Sequence, residues 1–192
     1  MLMLILGLVL FLGVHSTRIA ADGWRNATIA RIGALPWKGL YTVVSIAGFV
    51  LLVWGYGLAR QQPVVLWSPP RGMNHLAALL MVFAFILLVA TYVPRNAIKA
   101  RLHHPMVLSV KVWALAHLLS NGNLADVVLF GAFLVWAVLS FRAARARDRL
   151  AGTVYAAGTA TGTAITVVVG LAAWAAFAFW GHAVLIGVRP LG

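Results

Sequence analysis

Residues 104–122 read HPMVLSVKVWALAHLLSNG, a stretch that is apolar enough to cross a membrane and yet carries two histidines, a lysine and an asparagine. Ionisable side chains at bilayer depth are costly, so they usually face a protein interior, a cofactor or an ion path rather than lipid. The other long apolar runs of the chain are nearly free of such groups. The stretch therefore indicates a membrane-spanning fold and the place where its chemistry lies.

The composition of the whole chain is that of an integral membrane protein. Of its 192 residues, 63% are hydrophobic and 9% are charged, which differs strongly from a soluble domain. The long apolar runs predict transmembrane helices. The expected fold is all-α: one polytopic domain over residues 1–192, a six-transmembrane-helix bundle with no separate soluble domain. The predicted spans are Leu2–Ile19, Gly39–Ala59, His75–Val93, Pro105–Ser120, Leu124–Phe141 and Ala164–Gly187.

The basic residues are unevenly distributed between alternate loops, and this asymmetry predicts the orientation. With the N-terminus outside, the inner loops hold eleven basic residues and the outer segments three, while Lys111 lies within a span. This is the positive-inside pattern, so both termini are expected to be extracytoplasmic. Topology and anionic lipid headgroups explain the net charge of +12, and no nucleic-acid partner is expected. The inner residues are Arg18, Arg25, Arg31, Lys38, Arg95, Lys99, Arg101, Arg142, Arg145, Arg147 and Arg149; the outer ones are Arg60, Arg71 and Arg189.

The remaining segments also carry expectations. The N-terminal run lacks a basic n-region, which favours an uncleaved first span over a signal peptide. Thr17–Lys38 alternates apolar and basic residues and predicts a short amphipathic helix in the inner interface. The proline-rich segment Gln61–Gly72 predicts a non-helical outer loop, and Arg142–Arg149 an inner headgroup anchor. The spacing of Gly158 and Gly162 predicts a close helix contact.

Few residues are able to bind a metal. The chain has no cysteine, six histidines and three acidic residues, which excludes iron–sulfur clusters, thiolate-ligated haem and covalent c-type haem. The sequence contains no visible zinc cluster and no glutamate for a di-iron carboxylate site. A flat macrocycle needs only one or two axial histidines and an apolar slot. Haem b is thus the metal cofactor that this inventory allows most naturally.

Helical phase divides the fourth predicted span into two faces. At about 100° per residue, His104 and Lys111 share a face, whereas His117 points about 140° away from His104. Trp113 and Asn121, each four residues from His117, lie on its face. A partner for His117 must therefore come from another helix. For each histidine an interpretation without a cofactor stays open. His117 is then a buried residue bonded to a neighbouring helix, and His15 lies at the inner headgroups.

The central stretch, together with residues 129–137 (LFGAFLVWA), resembles the NnrU family of bacterial membrane proteins. The earlier pieces Val14-His15-Ser16 and residues 92–100 (YVPRNAIKA) fit the same family, so the resemblance covers almost the whole chain. The family is associated with denitrification, where its members are linked to nitrite and nitric oxide reduction. The resemblance implies an inner-membrane protein with a redox or gas-linked role, and a membrane reductase as partner.

The same family is related to the plastid 15-cis-ζ-carotene isomerase, which uses haem b to isomerise a polyene. In that relative the haem is held by a histidine in an early helix and by one in an Ala-His motif, thirteen residues after a His-Pro motif; His104 and His117 have this interval here. The resemblance thus implies non-covalent haem b with His15 and His117 as axial ligands. The isomerase has a ligand-switching cysteine where this chain has Ala114, and a further histidine near Trp136, which puts the isomerase mechanism in doubt.

The other polar residues of the fourth span have expected supporting roles. Lys111 is expected either to pair with a haem propionate or to extend to the inner headgroups. His104 is placed to reach a propionate, although capping or headgroup contact fits it better. Asn121 is expected to bond to His117 and set its tautomer, or to bond to a neighbouring helix. His75 and His182 lie near the outer boundary, where interfacial roles are expected.

Three functions stay open at the level of sequence. The first is a haem b protein with a redox or gas-linked role in nitrogen-oxide metabolism. The second is a haem-dependent isomerase that acts on an isoprenoid polyene within the lipid. The third is a non-enzymatic assembly partner of a membrane reductase. A haem spectrum, turnover of a cis-polyene and co-purification with a reductase would distinguish them.

Overall fold

The computed structural model describes residues 1–191, and in that range every regular element is a helix. Helices satisfy all backbone hydrogen bonds within one segment, which suits the apolar runs of this chain. The all-α prediction is confirmed. In chain order the helices are α1 (Leu2–His15), α2 (Thr17–Ala20), α3 (Asp22–Ile32), α4 (Ala34–Ala59), α5 (Met73–Tyr92), α6 (Ala97–Leu102), α7 (Pro105–Ser120), α8 (Leu124–Ala151), α9 (Ala160–Ala176) and α10 (His182–Ile186), with a π-helical turn at Phe177–Gly181.

Four helical stretches are long and apolar enough to cross a membrane: α4, α5, α8 and the continuous stretch Ala160–Ile186. Helices α1 and α7 are also apolar, but they have 14 and 16 residues. A hydrocarbon core about 30 Å thick asks for about 20 helical residues. The chain is therefore a helical protein with four candidate membrane spans in its described residues, and two of the six predicted spans, α1 and α7, are shorter than a full span.

Several boundaries differ from the predicted spans. Helix α8 continues ten residues beyond the predicted end at Phe141, because Arg142–Arg149 contains good helix formers and neither glycine nor proline. Helix α4 begins at Ala34 rather than Gly39. The first predicted span, Leu2–Ile19, is interrupted at Ser16. The predicted short helix within Thr17–Lys38 is present as α3, and Gln61–Gly72 is non-helical as predicted.

The helices form two compact units, of which the first comprises Met1–Trp67 and Gly122–Ala144. Within it, α1 and α4 run antiparallel and are in close contact. A Cβ atom on any of three glycines would overlap the backbone of the partner helix, so only glycine permits this approach. The facing pairs are Gly7 with Leu52, Gly48 with Phe11 and Gly55 with Leu4.

The same unit joins the start of α8 to the loop after α4. The Leu66 N–H donates to the Gly122 carbonyl at 2.8 Å, and the Leu124 N–H donates to the Val64 carbonyl at 2.8 Å. Met1 and Gln62 line one small cavity at this end. The first residue of α1, the end of α4 and the start of α8 are therefore neighbours.

The second unit comprises Ser68–Asn121 and the residues from Arg145 onward. Helix α7 packs against α5, where the Ser109 hydroxyl donates to the Ala84 carbonyl at 2.8 Å. Helix α9 packs against the other side of α5 through Gly170, whose missing side chain admits the backbone of Ile86. Gly158 and Gly162 lie against the backbone of residues 94–97, so the close approach exists, but its partner is the turn before α6 and not a helix as predicted.

Candidate functional site

His15 is the last residue of α1 and lies among aromatic side chains of the first unit. Its ring stacks on Phe11 with centroids 4.2 Å apart and an interplanar angle of 29°. Tyr41 of α4 and Trp136 of α8 complete the surroundings, with ring centroids 5.1 and 6.2 Å from that of His15. The antiparallel contact of α1 with α4 brings Tyr41 to this end of α1.

The imidazole of His15 is held by its own helix. Its Nδ1 lies 2.6 Å from the carbonyl oxygen of Phe11, one turn earlier. A carbonyl oxygen only accepts, so Nδ1 carries the proton and donates it. In the neutral ring the lone pair then belongs to Nε2, the nitrogen available to coordinate a metal.

His117 of α7 has the same arrangement in the second unit. Its Nδ1 lies 2.8 Å from the carbonyl oxygen of Trp113, again one turn earlier. The indole of Trp113 flanks the imidazole with ring centroids 5.4 Å apart. The predicted grouping of Trp113 with His117 on one face is confirmed, and Nε2 is again the nitrogen that holds the lone pair.

Asn121 supports His117 in a different manner from the one predicted. Its Nδ2 donates to the backbone carbonyl of His117 at 2.9 Å and to the Ser120 hydroxyl at 3.2 Å. It therefore closes the C-terminal turn of α7, whereas the Trp113 carbonyl sets the tautomer of the His117 ring. Lys111 is partly exposed, and within residues 1–191 its ammonium has no hydrogen bond or ion pair.

His104 belongs to a polar cluster at the other end of α7. Its Nε2 lies 2.8 Å from Oδ2 of Asp148, and the Tyr155 hydroxyl donates to the same oxygen at 3.0 Å. Arg145 donates to Nδ1 of His103. Burial raises the pKa of Tyr155, and the neighbouring Asp148 carboxylate adds to this rise, so the phenol stays protonated and continues to donate. We call these five residues the Asp148 cluster.

The backbone at the Asp148 cluster is unusual. His103 and His104 have φ angles of 57° and 36°, a region that residues with a side chain rarely occupy. Such conformations persist only where surrounding contacts fix them. Here the carboxylate of Asp148 accepts hydrogen bonds from the His104 and Tyr155 side chains, and these contacts hold the backbone in this conformation. His104 therefore holds the start of α7 to the end of α8 within the second unit.

Sequence reasoning missed Asp148, Tyr155 and a second buried carboxylate, Asp126. Asp126 is 3% exposed, accepts a hydrogen bond from Tyr56 at 2.5 Å and another from the Asn123 side chain at 2.9 Å. The sequence did contain one indication of their importance, which is that acidic residues are rare in it. The chain has three of them, and two are held by polar partners from other segments. An acid retained in so apolar a chain indicates a specific partner.

The donor set of the described residues fits haem better than a multi-ligand metal ion. No group of three or more metal-binding side chains occurs within residues 1–191. His15 and His117 each present an imidazole in the tautomer that ligates through Nε2, beside flat aromatic rings. Three buried polar atoms in the first unit have no hydrogen-bond partner among the described residues: Trp136 Nε1, Ser45 Oγ and Asp22 Oδ1, of which the last lies 3.8 Å from Arg18. A macrocycle with polar groups on its rim fits such surroundings.

Comparison with known proteins supports the resemblance noted from the motifs. No curated protein and no solved structure matches the chain. The family model described as NnrU protein matches residues 3–190, nearly the whole length and both compact units. The chain belongs to the NnrU family.

Proposed function

We propose that this protein binds one haem b non-covalently, with His15 and His117 as its two axial ligands. One observation carries the proposal: in both residues Nδ1–H donates to the carbonyl of the residue one helical turn earlier. Histidines that ligate metals almost always donate their other ring N–H to a carbonyl, a carboxylate or water. The bond fixes the ring orientation and makes Nε2 the ligating atom.

The surroundings of both histidines support a macrocyclic ligand. Phe11, Tyr41 and Trp136 give His15 three aromatic neighbours, and Trp113 lies beside His117. Flat apolar side chains of this kind are the usual walls of a haem pocket. Lys111 and His104 stay candidates for contact with a propionate, although His104 is engaged by Asp148.

The pair of ligands favours a redox role. Haem b held by two imidazoles supplies one-electron chemistry and leaves no iron position for a substrate. Membership of the NnrU family supports a place in nitrite and nitric oxide metabolism. We therefore propose electron transfer or redox sensing in denitrification, with a membrane reductase as partner. Ala114, fully buried at the position of the isomerase's switching cysteine, favours this role over polyene isomerisation.

We also propose that α1 and α7 complete a six-span bundle in the bacterial inner membrane. The contacts of the first unit support this arrangement: Met1 lies beside Gln62, and Gly122 is bonded to Leu66. If α4 crosses the membrane, α1 runs antiparallel to it and must return across. The surplus of basic residues in alternate loops supports an orientation with both termini outside the cytoplasm.

The experiment is a measurement of haem content in purified, detergent-solubilised protein. The wild type is expected to show a haem Soret band, which His15→Ala and His117→Ala each weaken strongly. His75→Ala and His182→Ala are matched controls, because both are histidines of apolar helices outside the proposed ligand pair. Both controls should keep full haem content. Full haem content in the His15 and His117 variants would overturn the proposal.

A further inference from the structure

Two polar groups beside His15 are buried without a hydrogen-bond partner in the described part of the chain. They are the indole N–H of Trp136 and the hydroxyl of Ser45. A buried polar group left without a partner destabilises the fold, so proteins rarely keep one unless something binds it. Trp174 shows the usual behaviour, since its indole N–H donates to the Ala78 carbonyl at 3.1 Å.

Both groups lie at the level of His15. The indole of Trp136 stands edge-on to the imidazole, with an interplanar angle of 83°. Ser45 is placed by the register of α1 and α4: Gly48 faces Phe11, so the residue three positions before Gly48 faces the residue three positions after Phe11. That pair is Ser45 and Val14, and Val14 is the chain neighbour of His15. All these residues belong to the first unit.

The chemistry of the two groups defines what they bind. The indole N–H only donates, and the serine hydroxyl donates or accepts, so their common partner is an acceptor. On the face of a haem that His15 ligates, the iron position is taken by His15 itself. A donor on that side can reach only the rim, where the acceptors of haem b are the propionate carboxylates.

We propose that Trp136 Nε1–H and the Ser45 hydroxyl donate hydrogen bonds to a propionate carboxylate of the haem ligated by His15. The inference rests on the proposed function and assigns two further residues to it. Hydrogen bonds to a carboxylate are stronger than those between neutral groups. The pair therefore selects a haem with free propionates and fixes its rotation about the axis of the His15–iron bond.

The test compares haemin with its dimethyl ester, which keeps the macrocycle and lacks the carboxylate charges. Both are titrated into haem-free, full-length protein in detergent, for the wild type, Trp136→Phe, Ser45→Ala and Trp174→Phe. Wild type should prefer haemin to the ester. Trp136→Phe should lower the affinity for haemin about tenfold, the size expected for one charge-assisted hydrogen bond, and lower the affinity for the ester much less, because the ester carbonyl is an uncharged acceptor. Ser45→Ala should act in the same direction, and Trp174→Phe should leave the preference intact.

Thermal stability of the haem-free protein gives a second test, in which Trp136→Phe and Trp174→Phe are expected to differ. In haem-free protein, Trp136→Phe removes an unpaired N–H and should leave the midpoint of thermal unfolding unchanged or raise it, whereas Trp174→Phe should lower it. Wild-type preference for haemin in both Trp136→Phe and Ser45→Ala would overturn the inference. If His15→Ala abolishes haem binding at the same time, the proposed function stands without it. If wild type binds neither haemin nor its ester, the proposed function fails and this inference fails with it.

Discussion

At the scale of single residues, the histidines divide by what holds the imidazole. His15 and His117 are held by a carbonyl of their own helix, which orients the ring and places the lone pair on Nε2. His104 is held by the carboxylate of Asp148. The first pair therefore suits a cofactor, whereas His104 fixes the fold of the second unit.

Asp148 provides a test of this division. Asp148→Asn keeps the size of the side chain but removes the charge that accepts from His104 and Tyr155, so the midpoint of thermal unfolding should fall. Haem content per folded protein should stay at the wild-type value. Asp22→Asn is the control, because the carboxylate of Asp22 is paired only loosely, with Arg18 at 3.8 Å, and its side chain is partly exposed. A stable Asp148→Asn protein that loses its haem would contradict the division.

The residues of the candidate site were partly predictable from sequence. Helical spacing of four residues grouped Trp113 with His117, because neighbours on one helix follow from periodicity alone. The partners of Asp148 and Asp126 could not be found in this way, since His104 lies 44 residues from Asp148 and Tyr56 lies 70 residues from Asp126. Such pairs depend on how helices pack. The lack of a hydrogen-bond partner for the Trp136 indole N–H also becomes evident only when its surroundings are known.

At the scale of elements, the contact between α1 and α4 positions His15. Gly7, Gly48 and Gly55 let the two backbones approach, and this register brings Tyr41 and Ser45 to the end of α1. The apolar runs of both helices predicted their existence. Their close pairing and register depend on which glycines face the partner helix. The same helices also contain exposed glycines, and the sequence alone does not distinguish these from the glycines at the contact.

Substitutions at two glycines of α4 distinguish the effect of helix packing on stability from the effect of helix propensity. Gly55→Ala places a methyl group against the backbone of Leu4 and should destabilise the protein by about 1–3 kcal/mol through overpacking. Gly57→Ala meets no atom within 4 Å and should be neutral or stabilising by up to about 1 kcal/mol. Thermal unfolding in detergent measures both. Equal effects of the two substitutions would show that the close α1–α4 contact is absent.

At the scale of the whole molecule, the basic loops and apolar helices are the basis for the proposed arrangement in the membrane. Sequence alone predicted the existence of the four long helices, because length and hydropathy are properties of one segment, but it ended α8 ten residues too early. It could not establish α1 and α7 as spans, since both are short for a bilayer. Contacts at the ends of α1, α4 and α8 support the proposal that both cross the membrane.

The chain contains no cysteine, so single cysteines can be placed on a clean background. A membrane-impermeant maleimide should label Gln62→Cys in intact cells, and should label Asn26→Cys, Arg101→Cys and Ala157→Cys only after permeabilisation. Because Met1 lies near Gln62 and Gly122 is bonded to Leu66, this pattern requires α1 and α7 to cross the membrane. Labelling of Asn26→Cys or Arg101→Cys in intact cells would contradict the six-span arrangement.

The electron paramagnetic resonance spectrum of the oxidised, detergent-solubilised protein tests the central claim most directly. Two imidazole ligands make ferric haem low-spin, so the wild type should give a low-spin signal typical of bis-histidine haem. Removing one ligand by His15→Ala or His117→Ala should replace it with a high-spin signal in whatever haem is retained. A high-spin signal from the wild type, or purified protein without haem after growth with ample haem supply, would contradict ligation by His15 and His117.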